Sequence, residues 1–220
     1  THNTGIGVDA LKVLVSGDEN VAIGSTSGDA LTGSENTLVG SGSGGALQAV
    51  NGNVAVGRYA LNVSTAAANC VAIGLQAMYN GTATAAGTVA IGKDALVLLT
   101  DGAENTALGY QSLAACTTGK RNTALGYHTL NANMDVGDSN TAVGYSSLYT
   151  LNPASDDEGF NTALGSFAGY YATTGQHNTF LGYATAATGS NNITTGVGNT
   201  YIGSLAQGSA VDVNDEIILK

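Results

Sequence analysis

The amino-acid sequence predicts an all-β fold, a parallel β-solenoid or β-roll of about 13 coils. Three observations predict it: a five-residue motif recurs at a period near 17, glycine is abundant while charge is sparse, and polar connectors separate the copies. A repeat of fixed period is the sequence signature of a solenoid, in which each copy packs on its neighbours.

The repeated motif is N-T-x-[ILV]-G, and Asn105–Gly109 and Asn122–Gly126 carry it in the same form, NTALG. Twelve copies follow one another at glycine spacings of 16 to 21 residues, most often 17. Glu216–Lys220, EIILK, is a thirteenth and degenerate copy. We expect residues 1–220 to form a single repeat domain, whose coils close at Gly7, Gly24, Gly40, Gly57, Gly74, Gly92, Gly109, Gly126, Gly144, Gly165, Gly182, Gly203 and Lys220.

Each copy has the pattern of a β-strand followed by a corner. Its second and fourth residues, such as Thr106 and Leu108, share one face of a strand because side chains alternate between faces, and we expect that face to point inward. A second apolar position follows four residues after the glycine, as at Leu113, and predicts a second short strand in each coil. A helical repeat is the alternative, but the β-branched, glycine and asparagine residues of every period disfavour it.

The predicted core is thin. A period near 17 leaves about three sizeable apolar side chains per coil, which favours burial shared between several chains. Cys70 and Cys116 lie nearly three coils apart, which is roughly 13 Å for strands spaced ~4.8 Å, and a disulfide needs Cα atoms within about 7 Å. We therefore expect two free thiols that act as small apolar side chains.

Composition opposes several classes of partner. The net charge is −10, from 6 basic and 16 acidic residues, whereas nucleic acids and anionic membranes are bound through Lys and Arg. No apolar run approaches the ~18 residues of a membrane span; Asp94–Thr100 is the longest candidate. The sequence begins with Thr1 rather than Met and shows no obvious cap for its end coils, so we expect it to be part of a longer chain.

Four tyrosines follow the closing glycine of their motif directly: Tyr110, Tyr127, Tyr145 and Tyr183. In adjacent coils such residues form a ladder, which Ser166 interrupts. Two interpretations stay open. The ladder packs at the coil corner or between chains, or its rings contact a receptor, since tyrosine has an apolar body and a hydroxyl group. The four tyrosines are therefore candidate receptor-contact residues.

Signals for chemistry are weak. Asp156, Asp157 and Glu158 form an acidic connector that is a weak calcium candidate, since clustered oxygens suit a hard cation; a solvated connector surface is the alternative. None of the three histidines has a partner at the spacing of a zinc site. The other acidic residues lie mostly in connectors, where we expect solvated charge rather than the paired carboxylates of a glycosidase. We expect no catalytic residues and no cofactor.

The motif with its flanks resembles a known family. The segments NTALGYQSL, NTAVGYSSL, NVAVGRYAL and NCVAIGLQAM are similar to the head repeats of trimeric, YadA-like adhesins, and closer still to the related repeats of phage and viral tail fibres. The resemblance covers about Asn3 to Lys220, although adhesin heads have shorter periods and lack the insertions before Asn161 and Asn199. It implies a left-handed parallel β-roll, a homotrimer of chains side by side, and attachment to a cell surface.

These observations predict a structural and adhesive segment of a fibrous appendage, a viral or phage tail fibre at the virion surface that contacts a host-surface glycan or protein. The alternatives are the head of a bacterial trimeric adhesin, displayed on the cell surface, and a polysaccharide-degrading β-solenoid enzyme, which needs convergent acids in a cleft. An ice-binding solenoid is a further rival, which a regular outward threonine array would distinguish. We expect no nucleic-acid partner, no membrane insertion and no enzymatic activity.

Overall fold

The computed structural model describes residues 2–80, 85–132, 137–153, 155, 159–187, 194–210 and 212–220. Within these residues the chain is an all-β parallel solenoid with thirteen strands and no helix. The same residues contain no helix long and apolar enough to cross a membrane. Every strand coincides with the middle of one motif copy, including the degenerate copy at Ile217–Leu219. The predicted parallel solenoid of about 13 coils is therefore confirmed.

The chain divides into two compact units, Thr1–Leu108 and Gly109–Lys220. The first unit holds β1 to β7: Thr4–Ile6, Val21–Ile23, Thr37–Val39, Val54–Val56, Val71–Ile73, Val89–Ile91 and Thr106–Leu108. The second unit holds β8 to β13: Thr123–Leu125, Thr141–Val143, Thr162–Leu164, Thr179–Leu181, Thr200–Ile202 and Ile217–Leu219. Within each unit every strand pairs in parallel with the next, in register. Equivalent residues of successive copies therefore form columns along each unit.

The middle residue of each strand faces the core, which corrects the orientation expected from the sequence. Ala72 and Ala142 are fully buried, whereas Thr106 and Leu108, at the ends of β7, are exposed. The prediction that threonine and the following aliphatic residue point inward was wrong. Only a small residue is needed at the middle of the strand, because the apolar residue four places after the glycine, such as the fully buried Leu96, fills the coil from the opposite side.

Each coil holds one strand in the described residues, so the prediction of two short strands was also wrong. The segment after the glycine is a turn in which left-handed residues recur, as at Tyr59 and Leu61, with φ of 59° and 54°. The Tyr59 N–H donates to the Ser41 carbonyl of the preceding coil at 3.0 Å, and the Leu61 N–H donates to the Ala77 carbonyl of the following coil at 3.0 Å. Adjacent coils thus satisfy these backbone groups without a regular strand.

Either the middle strand residue or a facing turn residue carries the large side chain that fills a layer of the core. Where the middle strand residue is Leu38, the turns around it carry Gly28 and Gly44, and a Cβ on either glycine would lie 2.8 Å from a Leu38 methyl carbon. Phe180 likewise lies against Gly169, where a Cβ would approach the ring to 2.7 Å. In most other coils the strand residue is alanine and the turn supplies leucine or methionine. Each layer of the core is therefore filled from one wall or the other.

Buried asparagines at the first motif position form a hydrogen-bonded ladder. The Asn161 backbone N–H and side-chain amide donate to Asn140 Oδ1 at 3.0 and 3.1 Å, and the amide also donates to the Gly175 carbonyl at 2.8 Å. Cys70 takes the asparagine position in the first unit, where burial raises the pKa of its thiol. Cys70 and Cys116 are both buried thiols that form no disulfide, as expected. Where consecutive copies within a unit both carry asparagine, the ladder joins one coil to the next through buried polar groups.

Candidate functional site

The closing glycine of each motif determines where the following side chain lies. Gly144 has a φ of +133°, and a Cβ at this residue would lie 2.5 Å from the carbonyl oxygen of Gly165 in the next coil. Only glycine combines that dihedral with such a close approach of two backbones. The glycines therefore stack directly on one another, and the residues that follow them line up on the outside of the coils. Tyr145, which follows Gly144, is 48 % exposed.

Five aromatic side chains form a continuous row in the second unit, which we call the aromatic strip: Tyr110, Tyr127, Tyr145, Phe167 and Tyr183. The ring centroids of Tyr110 and Tyr127 are 5.1 Å apart, and those of Tyr127 and Tyr145 are 5.2 Å apart. The interplanar angles are 11° and 1°, so these three rings are stacked. The structure thus brings the four predicted tyrosines into one row, and all four are at least 37 % exposed.

Phe167 closes the gap that Ser166 leaves in the strip. Its ring centroid is 5.2 Å from that of Tyr145 and 6.4 Å from that of Tyr183, and it meets them edge-on at 68° and 82°. Phe167 is the second residue after its glycine, so an alignment of the residues directly after the glycines missed it. The sequence does offer a signal, because the aromatic residue appears one place later in the coil that has serine.

A second group of rings lies beside the strip, which we call the flanking rings: His128, Tyr149 and Tyr170. His128 stacks on Tyr127 with centroids 4.0 Å apart, and Tyr149 stacks on Tyr170 at 5.1 Å. Phe167 lies 5.7 Å from Tyr170 and connects the two groups. The sequence analysis missed Tyr149 and Tyr170 because they occupy a turn position five residues after the glycine.

Burial among the rings changes the acid–base behaviour of two flanking rings. Burial lowers the pKa of His128, because the imidazolium form loses hydration. Its Nε2 atom is buried and has no hydrogen-bond partner among the described residues. Burial also raises the pKa of Tyr170, and the neighbouring Tyr149 adds to that rise. Both groups are therefore uncharged at neutral pH, and so is the aromatic surface they belong to.

The stacked tyrosines present their edges and hydroxyl groups to solvent. The faces of Tyr127 lie against Tyr110, Tyr145 and His128, so the exposed part of that ring is its outer edge. Across the described part of the chain, the hydroxyl groups of Tyr127, Tyr145 and Tyr183 have no hydrogen-bond partner. The strip therefore offers a row of phenolic hydroxyl groups, interrupted at the coil of Phe167, that a ligand can reach.

The remaining site candidates do not form a cluster in the described part of the chain. The calcium candidates Asp156, Asp157 and Glu158 lie outside the described residues. Elsewhere, no group of three His, Cys, Asp or Glu side chains is placed to hold a metal ion, and the described residues line no pocket. His177 stacks on Phe160 with centroids 5.0 Å apart and planes 2° apart, which is an inter-coil packing contact.

One connector carboxylate departs from the expectation of solvated charge. The Asp138 side chain is only 8 % exposed and pairs with the Arg121 guanidinium. Its Oδ1 also accepts the Lys120 backbone N–H at 2.8 Å. Asp138 thus joins two successive connectors, a structural role that its position in a polar loop did not indicate.

The outward strand residues form two columns, which together we call the outer strand face. In the second unit the fourth motif position gives an aliphatic column, in which Leu125 is 40 % and Leu164 is 49 % exposed. The second motif position gives threonine in every coil from Thr123 to Thr200. The first unit has the same aliphatic column, beside a column of mixed threonine and valine. Neither column contains a charged residue in either unit.

Comparison with known proteins leaves the function to be argued from this geometry. No protein-family model matches the chain. No curated protein and no solved structure matches it either. The outer strand face and the aromatic strip are the two surfaces from which the argument proceeds.

Proposed function

We propose that the chain is a structural and adhesive segment of a fibrous surface appendage, in which three copies pack side by side as left-handed β-rolls. One observation carries the proposal: the outer strand face is an uncharged, largely apolar surface that repeats in every coil of each unit. Contiguous apolar surface of this kind marks an association site. The resemblance of the motif to trimeric adhesin and tail-fibre repeats supports the three copies and the left hand.

A second copy of the chain is the partner that fits this face best. Parallel strands are ~4.8 Å apart, so the exposed columns repeat with that spacing. An identical chain in parallel register has the same spacing, so the coils of each unit can contact their counterparts in the second copy. The acidic residues responsible for the net charge of −10 lie at other positions of the repeat, so two copies can approach without bringing carboxylates together on this face.

The energy available from this contact matches the cost of association. Full burial of a leucine or isoleucine side chain contributes ~1.5–3 kcal/mol. Leu125 is already 60 % covered, since it is 40 % exposed, so covering the rest adds about 1 kcal/mol. Summed over the aliphatic column of both units this reaches roughly 10 kcal/mol per chain, within the ~4–15 kcal/mol that association costs. A long repeat is therefore needed for a stable assembly.

Attachment is the role that such an assembly serves in our proposal. Three linked chains display three identical aromatic strips, and linkage converts weak contacts with a host-surface glycan or protein into avid binding. We place the segment in a phage or viral tail fibre at the virion surface. A bacterial trimeric adhesin head at the cell surface would use the same geometry, and the segments that flank the repeat would distinguish the two.

The corrected orientation of threonine favours a second candidate, an ice-binding solenoid. Threonines form an uninterrupted outward column in the second unit: Thr123, Thr141, Thr162, Thr179 and Thr200. Valine interrupts the corresponding column of the first unit, and the neighbouring column is aliphatic throughout, so we favour packing between copies. Thermal hysteresis of the freezing point in a solution of monomeric chain would support the second candidate, and its absence from a trimer would support the first.

Glutamate substitutions on the outer strand face test the proposal. Leu125→Glu with Leu164→Glu places two unpaired charges per chain in the expected contact, each costing several kcal/mol when buried. Val15→Glu is the matched control, because Val15 is an aliphatic residue, 92 % exposed, in a connector. In sedimentation equilibrium we expect the wild type and the control to be trimers and the double variant to be a monomer. A double variant that stays trimeric would contradict the proposed interface.

A further inference from the structure

We propose that the aromatic strip binds a neutral, extended oligosaccharide that lies along the solenoid, with about one sugar residue per coil. The inference rests on the proposed attachment function and names the class of receptor. Six of the ten tyrosines of the chain lie in the strip and the flanking rings, so aromatic surface is concentrated in the second unit. Exposed aromatic surface on that scale marks a site of interaction rather than ordinary solvent-facing surface.

The charge of the surface selects a neutral ligand. The strip and the flanking rings contain no Asp, Glu, Lys or Arg side chain, and burial lowers the pKa of their one histidine, His128, which favours its uncharged form at neutral pH. The whole chain carries a net charge of −10, which repels an anionic polysaccharide. A neutral sugar has neither a charge to pair nor a charge to desolvate on this surface.

The mixture of groups fits a sugar. Ring edges give apolar contact, and the hydroxyl groups of Tyr127, Tyr145 and Tyr183 have no competing hydrogen bond across the described residues. Sugars carry the same mixture, since C–H groups and hydroxyl groups alternate around each ring, and tyrosine pairs with such amphipathic surfaces. Phe167, turned by 68° from the plane of Tyr145, adds an apolar patch within the row of hydroxyl groups.

The spacing of the rings distinguishes a sugar chain from a peptide. Ring centroids repeat at 5.1 and 5.2 Å along the stacked part of the strip, which is about the length of one pyranose residue in an extended β-linked chain. An extended peptide presents side chains to one face every ~6.6 Å, twice its rise per residue. A polysaccharide therefore stays in register with successive tyrosines over several coils, whereas a peptide strand does not.

The strip lies at the border of the outer strand face. Leu125 and Tyr127 are separated by a single glycine, so the aliphatic column and the tyrosine row run side by side through the second unit. In a trimer packed through the outer strand face, each strip borders a line of chain–chain contact. Three parallel strips on one assembly give a long glycan, or several glycans on one surface, repeated sites of the same kind.

Calorimetric titration of the full chain with cellohexaose and with fully N-acetylated chitohexaose, two neutral β-linked hexasaccharides, tests the inference. The triple variant Tyr127→Phe, Tyr145→Phe and Tyr183→Phe removes three hydroxyl groups and retains the rings that hold the stack. Loss of two or more hydrogen bonds should weaken binding by at least about tenfold. The control is Tyr59→Phe with Tyr79→Phe, an edge-on pair in the first unit that should bind as the wild type does.

Three results would overturn the inference: no heat of binding from either neutral sugar at about 10 mM, where even a Kd of 1 mM gives near saturation; equal affinity in the wild type and the triple variant; or equal affinity for an anionic oligogalacturonate. Light scattering on the same samples separates this inference from the proposed function. A trimer that binds no sugar rejects the sugar site alone, and a monomer rejects the trimer whether or not sugar binds.

Discussion

Exchange of core volume between strand and turn should appear as a large favourable coupling between two substitutions. Leu38 of β3 is fully buried, and a Cβ at Gly44 would lie 2.8 Å from its Cδ2. Leu38→Ala removes most of this side chain from the core and should cost about 3 kcal/mol of unfolding free energy. Gly44→Leu alone forces a second large side chain into the space that Leu38 already fills, at a cost of about 2 kcal/mol.

The double variant Leu38→Ala/Gly44→Leu restores one large side chain to the layer. It recreates the arrangement of the β6 coil, in which Ala90 on the strand and Leu96 in the turn are both fully buried. Leu96 has a φ of 51°, close to the 57° of Gly44, so leucine suits the backbone at that turn position. Leu38 also fills the space beside Gly28, which the new leucine at position 44 does not reach. The double variant therefore recovers only part of the lost stability. We expect a loss of about 2 kcal/mol in place of the additive value of about 5 kcal/mol.

Urea unfolding followed by tyrosine fluorescence measures these values, since the chain has ten tyrosines and no tryptophan. All variants are compared at one protein concentration, because association stabilises the folded chain. The control pairs Leu38→Ala with Gly87→Leu, since an added Cβ at Gly87 meets nothing within 4 Å and cannot fill the cavity. In this control the losses of unfolding free energy caused by the two single substitutions should add. If the Leu38/Gly44 double variant also loses the sum of its single losses to within about 0.5 kcal/mol, the volume argument fails.

Three further perturbations have defined outcomes. Asn140→Ala leaves a buried backbone N–H and a side-chain amide of the next coil without their acceptor and should cost about 3 kcal/mol in urea unfolding; the exposed Asn152→Ala should cost under about 0.5 kcal/mol, and equal losses would refute the ladder. Gly144→Ala places a Cβ 2.5 Å from backbone atoms and should prevent folding, while Gly87→Ala has open space and should cost about 1 kcal/mol; an unchanged melting temperature for Gly144→Ala would contradict the stacking. Hydrogen bonds from a nearby serine lower the pKa of Glu216. Its stabilisation is thus present above the ordinary glutamate pKa of about 4.3 and lost as pH falls through the lower folded value. As pH falls through that range, amide hydrogen exchange in the last coil should accelerate in the wild type but not in Glu216→Gln. If the two proteins show the same dependence of exchange on pH, the Glu216 carboxylate does not stabilise the last coil.

The strands could be placed from the sequence because the motif recurs in every coil, and even the degenerate copy at Ile217–Leu219 forms a strand. The face of each strand that points into the core could not be predicted from the sequence. Alternation shows only that Thr106 and Leu108 share a face, and it does not say which face is inside. The deciding quantity is side-chain volume: in the β6 coil the turn residue Leu96 fills the core, so the strand contributes only the small side chain of Ala90. The complementary sizes of the strand residue and the turn residue can be recognised in the sequence only once it is known that these two segments face each other across the coil.

Only the part of the candidate site that occupies a fixed motif position could be predicted from the sequence. Tyr127 and Tyr145 occupy one motif position, and columns follow directly from a fixed period. Phe167 and Tyr170 come from positions two and five after the glycine, and their proximity to the strip depends on the turn. That turn uses left-handed backbone at residues such as His128, with a φ of 53°. Since these residues are not glycine, no local sequence signal marks the conformation.

The absolute mass of the purified chain in solution, from light scattering, tests the central claim most directly. If the outer strand face is covered by other copies, the mass will be three times 21.8 kDa at concentrations where the fibre segment is folded. A mass of 21.8 kDa would contradict the account. The aliphatic and threonine columns would then face water in the native protein, and a function that uses that face directly, such as ice binding, would replace the trimer.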